Sequence, residues 1–287
     1  MILIADSGST KTDWRLLDKD GEIAQIKTVG FNPDYQNTLG IYEELKKSLL
    51  PQLEGKTPEK VYFYGAGVST PKKIKEVTDA LQLAFPEAEL IVEHDMLGAA
   101  LGLCGTEPGL PCILGTGCNS CVFDGQKITA NVPSLGFWLG DEGSGGYLGR
   151  QLVILFMNKE LPEDLQAEFA IQFPNANYAE IMEHVYRKSY PNRFLASFST
   201  FIASRNKHPF IVNMLREAFR LFFRRQLGTY PEHKTLPAHF IGSVAYYNSD
   251  ILKEVAAEFG VTIGRIHRSP MEGLLHYHLK LLNGINC

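Results

Sequence analysis

One device occurs twice in this 287-residue chain, and it limits what the chain can fold into more than anything else does. Near the start, "ILIADSGSTKTDWRLLDKDGEI" runs from an apolar strand through a Gly/Ser/Thr turn into a second strand and a tight turn. From Cys112, "CILGTGCNSCVFDGQKI" repeats the plan, with Gly117 set against Gly8. Short apolar runs bounded by turn formers read as strands, so the repeat predicts two similar domains, each opening on a hairpin that presents a small-residue loop. A chain of this length has enough residues for two ordinary cores.

The rest of the pattern agrees with an α/β fold. Strands are expected near 1–6, 13–18 and 22–29, then a helix around 36–54, a strand at "KVYFYGAG", a helix over 71–85, a strand at "AELIVEHD" and a small-residue helix at "MLGAALGL". Strands alternating with helices after a meander imply a sheet with a mainly parallel extension. The Gly/Pro-rich "GTEPGL" at 105–110 breaks the pattern and marks the expected domain boundary. From about 143 to 230 the chain reads as helical, with Phe210, Met214, Leu215, Phe219 and Phe222 forming a core stripe. "AHFIGSVA" and "GVTIGRIH" are late strands and "MEGLLHYHLKLL" a terminal helix. The expected domains are 1–108 with the terminal helix 270–287, and 109–269 with a helical insertion.

Charge and cysteine content narrow the function. A net charge of −4 and a pI near 6.1 give no basic patch for nucleic acid or an anionic membrane, so a small-molecule ligand is expected. The start lacks the basic and long apolar regions of a secretory signal, and no apolar run reaches about 18 residues, so a cytoplasmic protein without membrane spans is expected. Five cysteines, an odd number, suit reduced thiols. Cys118 and Cys121 stand as C-x-x-C without a second pair or a His pair at zinc-finger spacing, which disfavours a metal site there.

Neither familiar phosphate signature fits. "GSTKT" lacks the Gly before Lys and the leading Gly of a P-loop, and no strand is followed by G-x-G-x-x-G. A turn with Gly8, Ser9, Thr10 and Thr12 can still hold phosphate, because glycine lets backbone N–H groups converge and hydroxyls add donors. Alone, such a loop reads equally well as an ordinary turn. A matching "GTGCN" loop in the second half shifts the balance, since two hairpins meeting across a cleft could grip a triphosphate.

Four segments, "DSGSTKTDW", "GTGCN", "GDEGSGGYLGRQ" and "IGSVA", stand in the order and spacing of the sugar-kinase/Hsp70/actin superfamily. They most closely resemble the N-acetylglucosamine kinase group of the BadF/BadG/BcrA/BcrD ATPase family, and the resemblance covers essentially the whole chain. It implies duplicated ribonuclease H-like, actin-like ATPase domains facing a cleft, with ATP and Mg²⁺ as cofactors. It places phosphate binding at Gly8, Ser9, Thr10, Lys11, Thr116 and Gly117, and adenosine packing at Gly242 and Ser243. Ser7 departs from the glycine many members carry, and is tolerable only with φ < 0.

The same resemblance gives roles to four polar residues. Asp6, ending the first strand, would hold Mg²⁺ through water, or merely cap a turn. Asp95 would be the general base for the attacking sugar hydroxyl, against a plain helix N-cap. Asn32 and Asp141 would hydrogen-bond sugar hydroxyls, with a helix cap as the other reading of Asp141. Trp138 stacks on the sugar or packs in the interior; His94 reads as a hydrogen-bonded structural residue and "FFRRQ" as a helix with its basic face in solvent. The implied activity is ATP-dependent phosphorylation of an N-acetylated hexosamine, N-acetylglucosamine first, at a hydroxyl such as O6. Alternatives are a MurNAc or glucosamine kinase, an ATPase activator of a 2-hydroxyacyl-CoA dehydratase-type enzyme, and a non-catalytic sugar sensor. A terminal helix returning to the first domain would allow a homodimer.

Overall fold

The computed structural model describes residues 1–284; positions 285–287 of the expected terminal helix, Cys287 included, lie outside the described residues. The chain forms two units: Met1–Glu107 with Asp124–Ile128 and Ser269–Cys287, and Pro108–Phe123 with Thr129–Arg268.

Unit 1 is built on β1 (Ile2–Ser7), β2 (Lys11–Asp18), β3 (Gly21–Val29), β4 (Lys60–Gly65) and β5 (Glu89–His94), in the spatial order 3-2-1-4-5. β1, β2 and β3 pair antiparallel, and β4 and β5 extend β1 in parallel. Strand alternation sends Leu3 and Ala5 of β1 to one face. There they join Trp14, Phe31 and Phe63 in a core that α1 (Thr38–Ser48) and α2 (Pro71–Ala84) close with Ile41, Leu45, Val77 and Leu81. The helix expected over 36–54 stops at Ser48 and continues only as a 3₁₀ turn over Leu50–Leu53. Pro51 is the reason, since the residue before proline is pushed out of the α region and proline itself cannot donate. α3 (Asp95–Cys104) follows β5 directly.

Unit 2 carries β6 (Leu110–Leu114), β7 (Cys118–Phe123), β8 (Ile128–Asn131), β9 (Ala238–Ile241) and β10 (Ile263–His267) in the order 10-9-6-7-8. Each strand takes the place of its counterpart in unit 1, with an antiparallel β6–β7 pair and parallel β9 and β10. The insertion between β8 and β9 holds α4 (Gly136–Leu139), α5 (Gly145–Met157), α6 (Glu163–Gln172), α7 (Tyr178–Tyr186), α8 (Pro191–Ser197), α9 (Ser199–Ser204) and α10 (Pro209–Arg225). α11 (Ser243–Tyr247) and α12 (Ser249–Glu258) separate the last two strands. The expected stripe on α10 packs as drawn: Leu215, Phe219 and Phe222 are fully buried, and Phe210 and Met214 flank them. Among the described residues, no helix is long and apolar enough to cross a membrane.

The hairpins correct the register of the repeat. In unit 1 the last ladder pair is Ser7–Thr12, and the Gly8 N–H then donates to the Lys11 carbonyl at 3.0 Å. In unit 2 the last pair is Leu114–Cys118, and the Gly115 N–H donates to Gly117 at 3.0 Å. The glycine structurally opposite Gly8 is therefore Gly115, not Gly117, and the first loop is one residue longer.

α13 (Met271–Leu282) returns to unit 1 and crosses α3 where both helices are glycine. A Cβ on Gly273 would overlap the Gly102 carbonyl, and one on Gly102 would sit 2.6 Å from the Pro270 carbonyl. Backbone meets backbone there, so no side chain can swing aside. Gly273→Ala is expected to lower unit 1 stability by about 1–3 kcal/mol, read as a lower urea midpoint. Gly115→Ala, whose Cβ would meet nothing within 4 Å, should stay within about 0.5 kcal/mol of wild type.

Candidate active site

β1, β3, β4 and β5 all run in one direction, so the loops that follow them share one sheet edge. In open α/β sheets, ligands collect at that carboxyl edge. Asp6 lies near the end of β1 on the face opposite Leu3 and Ala5. Its carboxyl is pushed up to about 7, first by burial and then by the charges of Asp95 and Asp13, with Lys11 and a Ser269 hydroxyl 3.5 Å from Oδ2 opposing. Burial raises Asp95 as well, against His94 and backbone N–H groups that favour the carboxylate. Asp13 is neutralised by Arg15 at 2.8 Å, whereas among the described residues neither Asp6 nor Asp95 is in an ion pair. Two crowded carboxylates without a fixed cation suit Mg²⁺, which needs only one or two carboxylates beside phosphate oxygens. No cluster of three or more His, Cys, Asp or Glu among the described residues forms an all-protein metal cage.

Asp95 is not the helix cap. His94 has the extended backbone of a cap (ψ 153°), and its Nδ1 accepts the Leu97 N–H at 3.2 Å. The helix thus begins one residue earlier than expected, and Asp95 is its first residue, where the positive end of the helix favours an anion.

The unit 1 hairpin is clamped by a glycine that pattern reading missed. The Gly30 N–H donates to the Thr10 carbonyl at 3.1 Å, and any Cβ on Gly30 would overlap the Gly8 carbonyl. Gly8 and Ser9 are half-buried, and Thr10 and Lys11 are exposed. Thr12 leaves the donor set: it is buried, pairs with Ser7 Oγ at 2.8 Å and donates to the Val29 carbonyl. Ser7 has an ordinary backbone, and its hydroxyl also accepts the Phe31 N–H at 3.1 Å, so the departure from glycine is accommodated. Asn32, buried after β3, accepts the Asp34 N–H at Oδ1 (2.8 Å) and lies where a Cβ on Gly67 would be; Gly67 also has a left-handed φ of +78°.

Unit 2 holds the other predicted residues. The Gly115 and Thr116 carbonyls accept the N–H groups of Gly145 and Gly146 (2.8 and 2.9 Å) at the start of α5. Ser144 caps that helix by accepting the Tyr147 N–H at 3.1 Å. Asp141 is therefore not a cap. It is buried in a left-handed conformation (φ 59°), accepts Cys118 N–H at 3.2 Å and Ser134 Oγ–H at 3.3 Å, and lies 3.0 Å from where a Gly117 Cβ would be. Burial raises its carboxyl, against those two donors. Gly242 (φ 114°) passes so close to the Leu114 carbonyl that no side chain fits, and Ser243 stands exposed beside it.

Three side readings gain detail. "FFRRQ" is a helix end with its basic face in solvent: Arg224 and Arg225 are exposed while Phe222 and Phe223 are fully buried, and Arg225 also pairs with the buried Glu142. Trp138 is 46% exposed and stacks on Tyr186 rather than filling the interior. Cys118 and Cys121 are both buried, and burial together with Asp141 and Glu142 pushes the Cys118 thiol up, the wrong direction for a thiolate ligand. Gly30, Gly67 and Ser269 escaped sequence reading because the backbone or side chain each one accommodates lies far away in sequence.

The carboxyl of Asp6 has a measurable consequence. Its folded value near 7 exceeds the unfolded 3.8, so its ionisation penalises the folded state progressively as pH rises through that window. Asp6→Asn should gain stability relative to wild type between about pH 4 and pH 7 and hold that gain above pH 8. Urea midpoints of both proteins across this range check it; a difference that does not vary with pH would contradict the burial of this charge.

No protein-family model and no curated protein matches the chain. Among solved structures, the putative N-acetylglucosamine kinase of Porphyromonas gingivalis is 44% identical, with a TM-score of 0.92, over 98% of this chain and 99% of that one. A putative N-acetylglucosamine kinase from Chromobacterium violaceum is 19% identical (TM-score 0.73, 96% and 98% covered). A ROK family glucokinase from Streptomyces griseus, solved with glucose and AMPPNP, is 16% identical (TM-score 0.60, 96% and 97% covered). The last two share the fold: two α/β units of the sugar-kinase, actin-like ATPase kind. By its identity to the Porphyromonas protein over nearly the whole of both chains, this chain belongs to the family of N-acetylglucosamine kinase-like proteins which that structure represents.

Proposed function

We propose that the chain is an ATP-dependent kinase that transfers the γ-phosphoryl group to a hydroxyl of an N-acetylated hexosamine, N-acetylglucosamine first and O6 as the acceptor, within the BadF/BadG/BcrA/BcrD-type branch of its superfamily. The observation that carries this reading is the pair of half-buried carboxylates, Asp6 and Asp95, with raised proton affinity at the carboxyl edge of the unit 1 sheet. The Porphyromonas protein supplies the substrate class.

On this reading Asp95 accepts the proton of the attacking hydroxyl. Its raised affinity for protons brings it closer to working pH, which improves a general base. Asp6 holds Mg²⁺, which when bound neutralises charge on the transferring phosphoryl group. Gly8, Ser9, Thr10 and Lys11 supply converging donors and a positive charge for phosphate, as do Thr116 and Gly117 in unit 2. Gly242 offers a side-chain-free surface to adenosine, and the exposed Ser243 hydroxyl stands beside it. Asn32 has its Oδ1 committed to Asp34, so sugar bonding falls to its NH₂, while Asp141 accepts from a sugar hydroxyl. A cytoplasmic location, with ATP at hand, follows from the same reading.

A screen of N-acetylglucosamine, MurNAc and glucosamine with ATP and Mg²⁺ should give the highest kcat/KM for N-acetylglucosamine. Turnover of none would replace the kinase by a sugar sensor, and rapid ATP hydrolysis without sugar would favour the activator ATPase. Because His94 does the capping, Asp95→Asn leaves the helix start in place. It should lower kcat by roughly 10² to 10⁴ with Tm and ATP affinity near wild type; retention of more than about a tenth of kcat removes Asp95 as the base. Asp6→Ala should weaken Mg²⁺-dependent ATP binding and leave sugar binding intact.

A further inference from the structure

α4 is a single helical turn, which carries the cost of nucleation without the gain of propagation. Burial does not hold it: none of its residues is buried, Leu139 is 75% exposed and Leu135, just before it, 63%, and only Phe137 leans on the unit 2 core. Arg150 supplies the restraint. From the second turn of α5, its Nη1 donates to the Phe137 carbonyl at 2.6 Å and to the Trp138 carbonyl at 2.9 Å. A helix leaves its last carbonyls without internal partners, and a guanidinium gives them charge-assisted bonds. The Tyr147 ring, 5.4 Å from the guanidinium carbon, backs the arginine from its own helix.

The same segment is closed at its ends and finishes on unusual backbone. The Ser134 hydroxyl accepts the Gly136 N–H at 3.3 Å and donates to Asp141 Oδ1 at 3.3 Å, so one side chain joins the two ends of residues 134–141. Asp141 stands at φ 59°, a conformation that a non-glycine residue keeps where its surroundings over-determine it. Directly after it, the buried Glu142 pairs with Arg225 of α10. The chain is thus tied down on both sides of Asp141, by Arg225 downstream and by Arg150 upstream. Burial raises the Asp141 carboxyl and Arg150 is among the groups that oppose the rise, so the guanidinium that holds the backbone also favours the ion that accepts hydrogen bonds.

We propose that Arg150 is a positioning residue for the sugar: it fixes residues 134–141 through the Phe137 and Trp138 carbonyls and so holds Asp141 in place to accept a hydroxyl. The proposal rests on the reading that Asp141 contacts the sugar, and its test separates the two. Binding of N-acetylglucosamine is measured by calorimetry, without turnover. Arg150→Met keeps the bulk of the side chain and removes its donors; it should raise the dissociation constant about tenfold, because the ligand must then order the segment. ATP affinity and Tm should stay near wild type. Arg150→Lys, which keeps a cation able to donate to carbonyls, should recover most of the loss. In an Asp141→Asn background, Arg150→Met should add less than about twofold. A second readout needs no sugar. The chain has two tryptophans and Trp14 is fully buried in unit 1, so acrylamide quenching reports on Trp138. Arg150→Met should increase that quenching by about 1.5-fold or more. If Arg150→Met fails to fold, Arg150→Gln, two bonds shorter, is measured in its place. Weakened sugar binding in Asp141→Asn beside wild-type affinity in the Arg150 variant, or quenching unchanged in that variant, would overturn this proposal alone. Wild-type affinity in Asp141→Asn, or no binding to the wild-type protein, would overturn the reading of Asp141 and the proposal with it.

Discussion

The site in unit 1 depends on a carboxylate placed where a sheet would otherwise be apolar. β1 contributes Ile2, Leu3, Ile4 and Ala5 to the interior and then Asp6, one residue before the chain turns. β5 ends at the same edge, and its helix begins on Asp95. Desolvation first, and the charge of Asp95 second, push the Asp6 carboxyl up to about 7. Such an arrangement costs stability and invites a cation. The fold sustains it because the surrounding backbone is over-determined: Gly30 locks the hairpin beside Asp6, and the Gly102–Gly273 crossing fixes α13 against the helix that carries Asp95.

Unit 2 repeats the topology with different chemistry. Its hairpin carbonyls are spent on the N-terminus of α5, and its buried carboxylate, Asp141, is tied to the hairpin through the Cys118 N–H. The duplicated hairpin has therefore diverged: one copy sits beside crowded carboxylates, and the other is braced by a helix start and a strained aspartate.

Much of this was legible in the sequence because it rests on period. Alternation in "ILIADS", the turn "DKDG" and the 3.6-residue stripe on α10 each specify an element from local residues alone. The repeat was legible for the same reason, but its register was not: glycine-to-glycine matching cannot count a one-residue difference in loop length that only ladder hydrogen bonds fix. The capping alternatives for Asp95 and Asp141 fall away, and the sequence could not exclude them because one residue's ψ decides a cap. His94 and Ser144 took those places, and histidine is not a customary cap. Gly30 and Arg225 were invisible as functional parts since their partners, the Gly8 carbonyl and Glu142, are 22 and 83 residues away in sequence.

The account turns on Asp6 being protonated near neutrality when no cation is present and ionised when one is. Calorimetric titration of the protein with MgATP at pH 6.5, repeated in buffers of different ionisation enthalpy, counts the protons released on binding. Wild type should release a substantial fraction of a proton at pH 6.5 and almost none at pH 9, and Asp6→Asn should lose most of the release at pH 6.5. Binding without proton release, or release undiminished in Asp6→Asn, would contradict it.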